Sequence, residues 1–203
     1  MNVNGKPYRT VWMESGVVRM INQPLIPFRF EIADCPTHRD TAVAIRTMIV
    51  RGAGAIGAAA GYGMAQVALE APDRSAFMDY VEQGAETLRQ TRPTAQDLFY
   101  AIGRVREAIL GARSVQAARQ AAVQTANELA DENAEAGAAI GRHGAELIGD
   151  GARILTHCNA GWLAFVDWGS ALSPIYWASR QGKQVFVYVD ETRPRSQGAQ
   201  LTA

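Results

Sequence analysis

Gly149-Asp-Gly-Ala-Arg-Ile-Leu-Thr-His-Cys-Asn-Ala-Gly161 marks the point at which this 203-residue chain changes character. Upstream, an Ala-rich stretch from about Val115 to Leu147 reads as helix, loosened by Gly137 and Gly141. Within the quoted stretch, Ile154-Leu-Thr-His157 is a short apolar run suited to a buried strand, and Gly161 permits a turn after it. Downstream come a helix-length segment, about Ser170 to Arg180, then Gly182 and the β-branched run Val185-Phe-Val-Tyr-Val189. Strand, helix and strand in that order make one crossover unit of a parallel sheet, so the expected fold class is α/β. A domain boundary near residue 150 follows, separating 1–149 from 150–203. Two parallel strands leave both faces and both edges to be covered. The expectation is that the natural protein continues past Ala203, or that this chain pairs with another.

Working back toward the N-terminus, Thr10-Val-Trp-Met13 and Val17-Val-Arg-Met-Ile21 flank Glu14-Ser-Gly16, the pattern of a β-hairpin. Pro24 and Pro27 punctuate an extended connector. From Asp40 the pattern turns helical, with Val43, Ile45, Met48 and Ile49 recurring at near-helical spacing behind a Thr/Asp-rich start. The Gly- and Ala-crowded run from Arg51 to Gly63 leads into a second helix ending near Glu70, before Pro72. Two amphipathic helices follow, one carrying Phe77, Tyr80, Val81 and Leu88, the other Leu98, Ile102, Val105 and Ile109. The 1–149 part is therefore a small β-hairpin followed by a helical domain.

Bulk composition narrows the functional classes. Hydrophobic residues at 48% and charged residues at 20% belong to a folded chain and not a disordered one. Lys plus Arg equals Asp plus Glu at 20 each, which gives no support for a nucleic-acid or membrane-surface role. It leaves room for a local basic pocket facing a small anion. The two cysteines, Cys35 and Cys158, are too few and too far apart for a secreted disulfide framework, so a reducing cytoplasm is expected. Met1 to Thr10 lacks the apolar core of a signal peptide, and no run of eighteen apolar residues occurs.

Three segments carry candidate chemistry. Gly52-Ala-Gly54-Ala-Ile-Gly57 fits the dinucleotide-binding glycine string, but the preceding residues have helical periodicity and no second strand leads to Asp73. Small residues there serve either close helix packing or an anion site, in which Arg51 and free N–H groups at a helix start face a phosphate. Thr156-His-Cys-Asn159 ends the first strand of the crossover unit, where ligands bind in open parallel sheets. A lone cysteine at a strand end is either buried filler or a thiol presented to substrate. Strand alternation points His157 away from it. One Cys and one His with no spaced partners fall short of a metal ligand set. Finally, Thr91-Arg-Pro-Thr94 opens a helix with Thr94 as the expected N-cap, and Asp190-Glu-Thr-Arg-Pro-Arg195 follows the second strand.

In order along the chain, Arg51-Gly-Ala-Gly-Ala-Ile-Gly57, Arg92-Pro-Thr-Ala95 with Leu98, Thr156-His-Cys-Asn159 and Asp190-Glu-Thr-Arg-Pro-Arg195 with Gln197-Gly-Ala-Gln-Leu-Thr-Ala203 resemble the motif series of the methylthioribose-1-phosphate isomerase family. That family is related to ribose-1,5-bisphosphate isomerases and shares its fold with regulatory subunits of the eukaryotic translation-initiation exchange factor. The resemblance implies a small N-terminal β/helical domain, a Rossmann-like second domain and usually a dimer. It implies conversion of an aldose 1-phosphate to a ketose 1-phosphate without cofactor or metal. Arg51, Gly52, Ala53, Arg92 and Gln197 would hold the sugar phosphate, and Cys158 would act at the reacting carbons.

The chain departs from that pattern in three ways. Gly54 stands where the family usually has Pro. After the cysteine, Ala160-Gly-Trp-Leu-Ala-Phe-Val-Asp-Trp-Gly169 is bulkier than the usual run, so Trp162, Phe165 and Trp168 either reshape the pocket or pack the core. The family's acidic proton donor and a later Lys-containing turn correspond to nothing before Ala203. Two other readings accompany the isomerase: a non-catalytic assembly module like the translation-factor subunits, and an inert piece of an enzyme.

Overall fold

In the computed structural model, which describes residues 1–193 and 195–203, the chain starts with two tight hairpins. Strands β1 (Asn2–Val3) and β2 (Lys6–Pro7) are joined by Asn4-Gly5, and β3 (Val11–Glu14) and β4 (Val17–Ile21) by Ser15-Gly16. All four turn residues have positive φ, between 50° and 82°, as a two-residue turn matched to strand twist demands. The expected hairpin is present, and it has a third strand. β5 (Ile32–Cys35) pairs antiparallel with β4, Val18 opposite Cys35, where the prolines suggested only an extended connector.

Helix α1 (His38–Arg46) opens with a capping box. The Asp40 N–H donates to Thr37 Oγ1 at 3.3 Å, and the Thr37 N–H donates to the Asp40 carboxylate at 3.0 Å. Helix α2 (Ala53–Glu70) is buried from Gly54 to Ala68 and packs against α1, α3 (Phe77–Arg89), α4 (Gln96–Leu110) and α5 (Val115–Ala145). A helix apolar on every side belongs at the centre of a bundle, and its glycines and alanines let the neighbours approach. A Cβ on Gly57 would lie 3.0 Å from that of Asp97, and one on Gly61 would lie 3.8 Å from that of Ala101. Contacts that advance together along both helices mean that α2 and α4 run parallel, with their N-termini at the same end.

Two details of the helices differ from the sequence reading. Ala95, not Thr94, occupies the N-cap of α4, and no side chain caps it. Helix α5 is continuous through Gly137 and Gly141, which are points of contact and not of loosening. Gly137 admits the backbone of Asp167 and Gly169, and Gly141 admits Trp177 and Ser173.

Strands β6 (Ala152–His157) and β7 (Val185–Asp190) pair in parallel, Ala152 opposite Val185 and His157 opposite Asp190. Helix α6 (Ser173–Arg180) is the crossover between them and packs on α5. The crossover unit is as expected, but its first strand is buried on one side only. Thr156 faces inward, whereas Leu155, Phe186 and Tyr188 are 66%, 59% and 47% exposed. One helix covers one face of a sheet, and alternation puts these three side chains on the other. The architecture is α/β, with an N-terminal antiparallel sheet, a helical body and a parallel unit at the C-terminal end. Among the described residues, no helix is long and apolar enough to cross a membrane.

Candidate active site

The geometry begins at Gly52, the N-cap of α2, whose φ of 105° is a conformation that side chains disfavour. A Cβ there would lie 2.3 Å from the Ala164 Cα, so the start of α2 and the loop after Cys158 are in backbone contact. Ala53 is the first residue of α2. Its N–H belongs to the first turn, where helical N–H groups have no intrahelical acceptor. Among the described residues none accepts a hydrogen bond from the Gly52 N–H.

Arg51 is buried at 6% exposure, with its Nε unpartnered and one terminal nitrogen donating to Gln200 Oε1 at 3.0 Å. Burial lowers the pKa of this guanidinium and nearby Arg195 adds to the effect, while a charge on Cys158 would oppose both. Cys158 itself, half-buried with φ 62°, follows β6 directly and donates its thiol hydrogen to Gln197 Oε1 at 3.2 Å. Its carbonyl accepts from Thr202 Oγ1 at 3.0 Å. Gln197, Gln200 and Thr202 belong to one short terminal segment, wound as a π-helical turn over Gly198–Thr202. Glu191 fastens that segment by accepting from the N–H groups of Thr192, Gly198 and Ala199, which holds its pKa below the ordinary carboxylate value. Pro194 of the Asp190–Arg195 motif lies outside the described residues.

Of the six residues singled out in the sequence, five meet: Arg51, Gly52 and Ala53 on one side, Cys158 and Gln197 on the other. Arg92 stands in the turn before α4, with one terminal nitrogen buried and unpartnered. Because α2 and α4 are parallel, this turn lies at the same end of the body as Gly52. Among the described residues no hydrogen bond ties Arg92 to the other five. His157 faces away as expected, its Nδ1 3.5 Å from the Asp190 carboxylate. A cleft of about 250 Å³ opens beside the first turns of α2 and α4, bounded by Gly54, Gly57, Asp97, Leu129, Glu132 and Asn133. A larger open groove of about 730 Å³ runs along α5 beside Leu69 and touches none of the site residues.

The sequence reading assigned no role to Gln23, Gln200, Glu191 or Thr202. Glu191, Gln200 and Thr202 lie inside quoted motifs, but Gln200 and Thr202 are placed by partners far along the chain, Arg51 and Cys158.

Residues 49–203 match the model of the initiation factor 2 subunit family. This chain belongs to that family. Curated relatives of the chain bear the name the motifs pointed to. Methylthioribose-1-phosphate isomerases of Methylorubrum populi and Methylobacterium nodulans are 45% and 46% identical over 100% of the chain. The kinship expected from the motifs is therefore borne out. A 5-methylthioribose 1-phosphate isomerase structure from Pyrococcus horikoshii OT3 superimposes with a TM-score of 0.91 at 39% identity over 98% of the chain. A structure from A. fulgidus described as translation initiation factor eIF-2B, subunit delta, gives 0.88, also at 39% identity, over 97%. This family member spans 57% of each of the two curated relatives and 56% and 58% of the two solved chains.

Proposed function

We propose that this chain is part of an aldose–ketose isomerase that converts 5-methylthioribose 1-phosphate, or a similar 5-substituted ribose 1-phosphate, to the ribulose 1-phosphate. The observation that carries the reading is the convergence of Cys158 with Arg51 at the carboxyl end of β6, each fastened by a glutamine of the same terminal segment. An assembly scaffold has no chemical need for a thiol beside an arginine and a free helix start. The names of the curated relatives support the same reading.

The chemistry suits such a site. A C1 phosphate locks the sugar as a ring, so ring opening needs a proton donor. Hydrogen must then pass from C2 to C1 through an enediol or a hydride shift. Arg51, with the Gly52 and Ala53 N–H groups, would hold phosphate oxygens by charge-assisted hydrogen bonds. Arg92 would close the anion site from the α4 side. Gln197 would orient the sugar, and Cys158 would sit beside C1 and C2 in a pocket shielded from water. The division into units 1–149 and 150–203, a homodimeric assembly and a cytoplasmic setting are parts of the same proposal.

The test begins with intact mass of protein made from the native gene, then 5-methylthioribose 1-phosphate and carbon NMR for the new C2 carbonyl. Conversion by the native-length protein, lost in Cys158→Ser, is the expected result. No conversion and no binding of the sugar phosphate at native length would overturn the reading and leave the assembly-module alternative in its place.

A further inference from the structure

We infer that Gln23, in the turn after the N-terminal hairpin, is a positioning residue that aims the Arg51–Gly52 peptide toward the substrate anion. This deepens the isomerase reading and rests on it, since that reading places Gly52 against the phosphate. Gln23 opens a single 3-10 turn, Gln23–Leu25, and has no exposed surface. A polar side chain at that depth is costly unless hydrogen bonds offset its desolvation. Its amide nitrogen donates to the Leu163 carbonyl at 2.7 Å and, at the long end of the range, to the Arg51 carbonyl at 3.4 Å. Acceptors on both sides fix which end of the amide is nitrogen. The Gln23 main-chain N–H goes to the Ile49 carbonyl at 3.1 Å. One residue thus touches the chain at 49, 51 and 163.

The consequence is directional. A trans peptide is planar, so the Arg51 carbonyl and the Gly52 N–H point opposite ways. Drawing that carbonyl toward Gln23 turns the Gly52 N–H outward, away from the hairpin. The bond to Leu163 meanwhile seats Ala164 against Gly52, the contact that leaves no room for a Cβ. Gln23 therefore sets both a main-chain donor and the wall beside it. Volume alone does not account for the residue, because methionine fills similar space. Neither does full hydrogen-bond satisfaction, because Gln23 Oε1 is buried without a partner among the described residues. What an apolar side chain lacks is the pair of donors.

The experiment titrates native-length wild type, Gln23→Met and Thr10→Val with 5-methylthioribose 1-phosphate and with inorganic phosphate by calorimetry, alongside thermal melts. Thr10 is the control: it is fully buried and its Oγ1 donates to the Trp162 carbonyl at 2.8 Å, stitching the same loop without touching residue 51. Gln23→Met should weaken sugar-phosphate binding about tenfold to a hundredfold, the loss of one hydrogen bond to a charged group. Thr10→Val should melt lower while binding within about twofold of wild type. Equal weakening in both variants, or none in Gln23→Met, overturns the inference and leaves the isomerase reading standing. Wild type that binds neither probe overturns both. If Gln23→Met does not fold, Gln23→Asn, an amide one methylene too short to reach Leu163, is read by the same criteria.

Discussion

Strand β5 ends in Cys35 and strand β6 runs directly into Cys158, yet the two thiols sit in opposite surroundings. Cys35 is 3% exposed in a sheet closed over by α1 and α2, and its carbonyl accepts from the buried Gln66 at 2.7 Å. Burial, reinforced by Asp40 and Asp34, pushes its thiol pKa up to about 11. Cys158 stands half-buried at the end of a sheet with one bare face, beside a buried cation. The contrast separates two jobs. On the proposed reading, the N-terminal sheet and helical body would supply rigidity, while the parallel unit would present the thiol on a framework with far less burial behind it.

The largest expected effect tests whether the two cysteines really divide this way. Cys158→Ser should lower isomerase turnover by about 10²- to 10⁴-fold, the range for loss of a group handling protons at the reaction centre. Its melting temperature should hardly move. Cys35→Ser should do the reverse, costing about 1–3 kcal/mol by burying a more strongly hydrated hydroxyl in place of the thiol, while turnover of the folded protein stays within about twofold. Comparable rate losses from both would erase the distinction.

Next in size is the contrast in burial. Leu88→Ala, at a side chain with no exposed surface, should lower unfolding free energy by about 3 kcal/mol in a urea titration. Leu155→Ala, on the bare face of β6, should change it by less than about 0.5 kcal/mol. If Leu155→Ala is the costlier of the two, that face is covered in solution.

A pH measurement sharpens the cysteine comparison further. The folded pKa of Cys35 lies above its value of 9.0 in an open chain, so its contribution to stability is complete below about pH 9 and is lost as pH rises toward 11. A melting temperature that falls over that window in wild type, and falls less in Cys35→Ala, is the expected outcome. Iodoacetamide at pH 8 should give one adduct per chain, mapped to Cys158. The smallest effect concerns Glu191. Its folded pKa is lowered, so the order it gives the terminal segment is present at neutral pH and lost as pH falls through that lowered value. The Gly198 amide resonance should therefore shift on acidification in wild type and be displaced already at pH 7 in Glu191→Gln.

Much of this arrangement could be read from local chemistry. Alternation gave away the hairpin at Val11–Ile21, helical period and Ala-rich composition the five helices of the body, and β-branched runs the crossover unit. What escaped was either short or remote. The first hairpin has strands of two residues, too short for alternation to show, although Asn4-Gly5 is the strongest two-residue turn signal in the chain. β5 follows Pro24 and Pro27, which read as an extended connector, and its pairing depends on β4. Thr94 lost the N-cap to Ala95 because the turn it stands in continues one residue further. The site followed the same rule. Arg51, Gly52 and Cys158 carry their chemistry in their own motifs, but the bond from Arg51 to Gln200 spans 149 positions, and nothing near either residue announces it.

That same bond has a kinetic meaning. A free arginine side chain holds roughly 2 kcal/mol of rotamer entropy, which an arriving anion must ordinarily suppress. Here Gln200 grips the Arg51 guanidinium at 3.0 Å while its own amide nitrogen donates to the Pro24 carbonyl at 3.1 Å, so the freezing happens when the chain folds. On the proposed reading, the arriving anion would meet a cation already at rest and would exchange one neutral amide for its own charged oxygen, with no search through side-chain conformers.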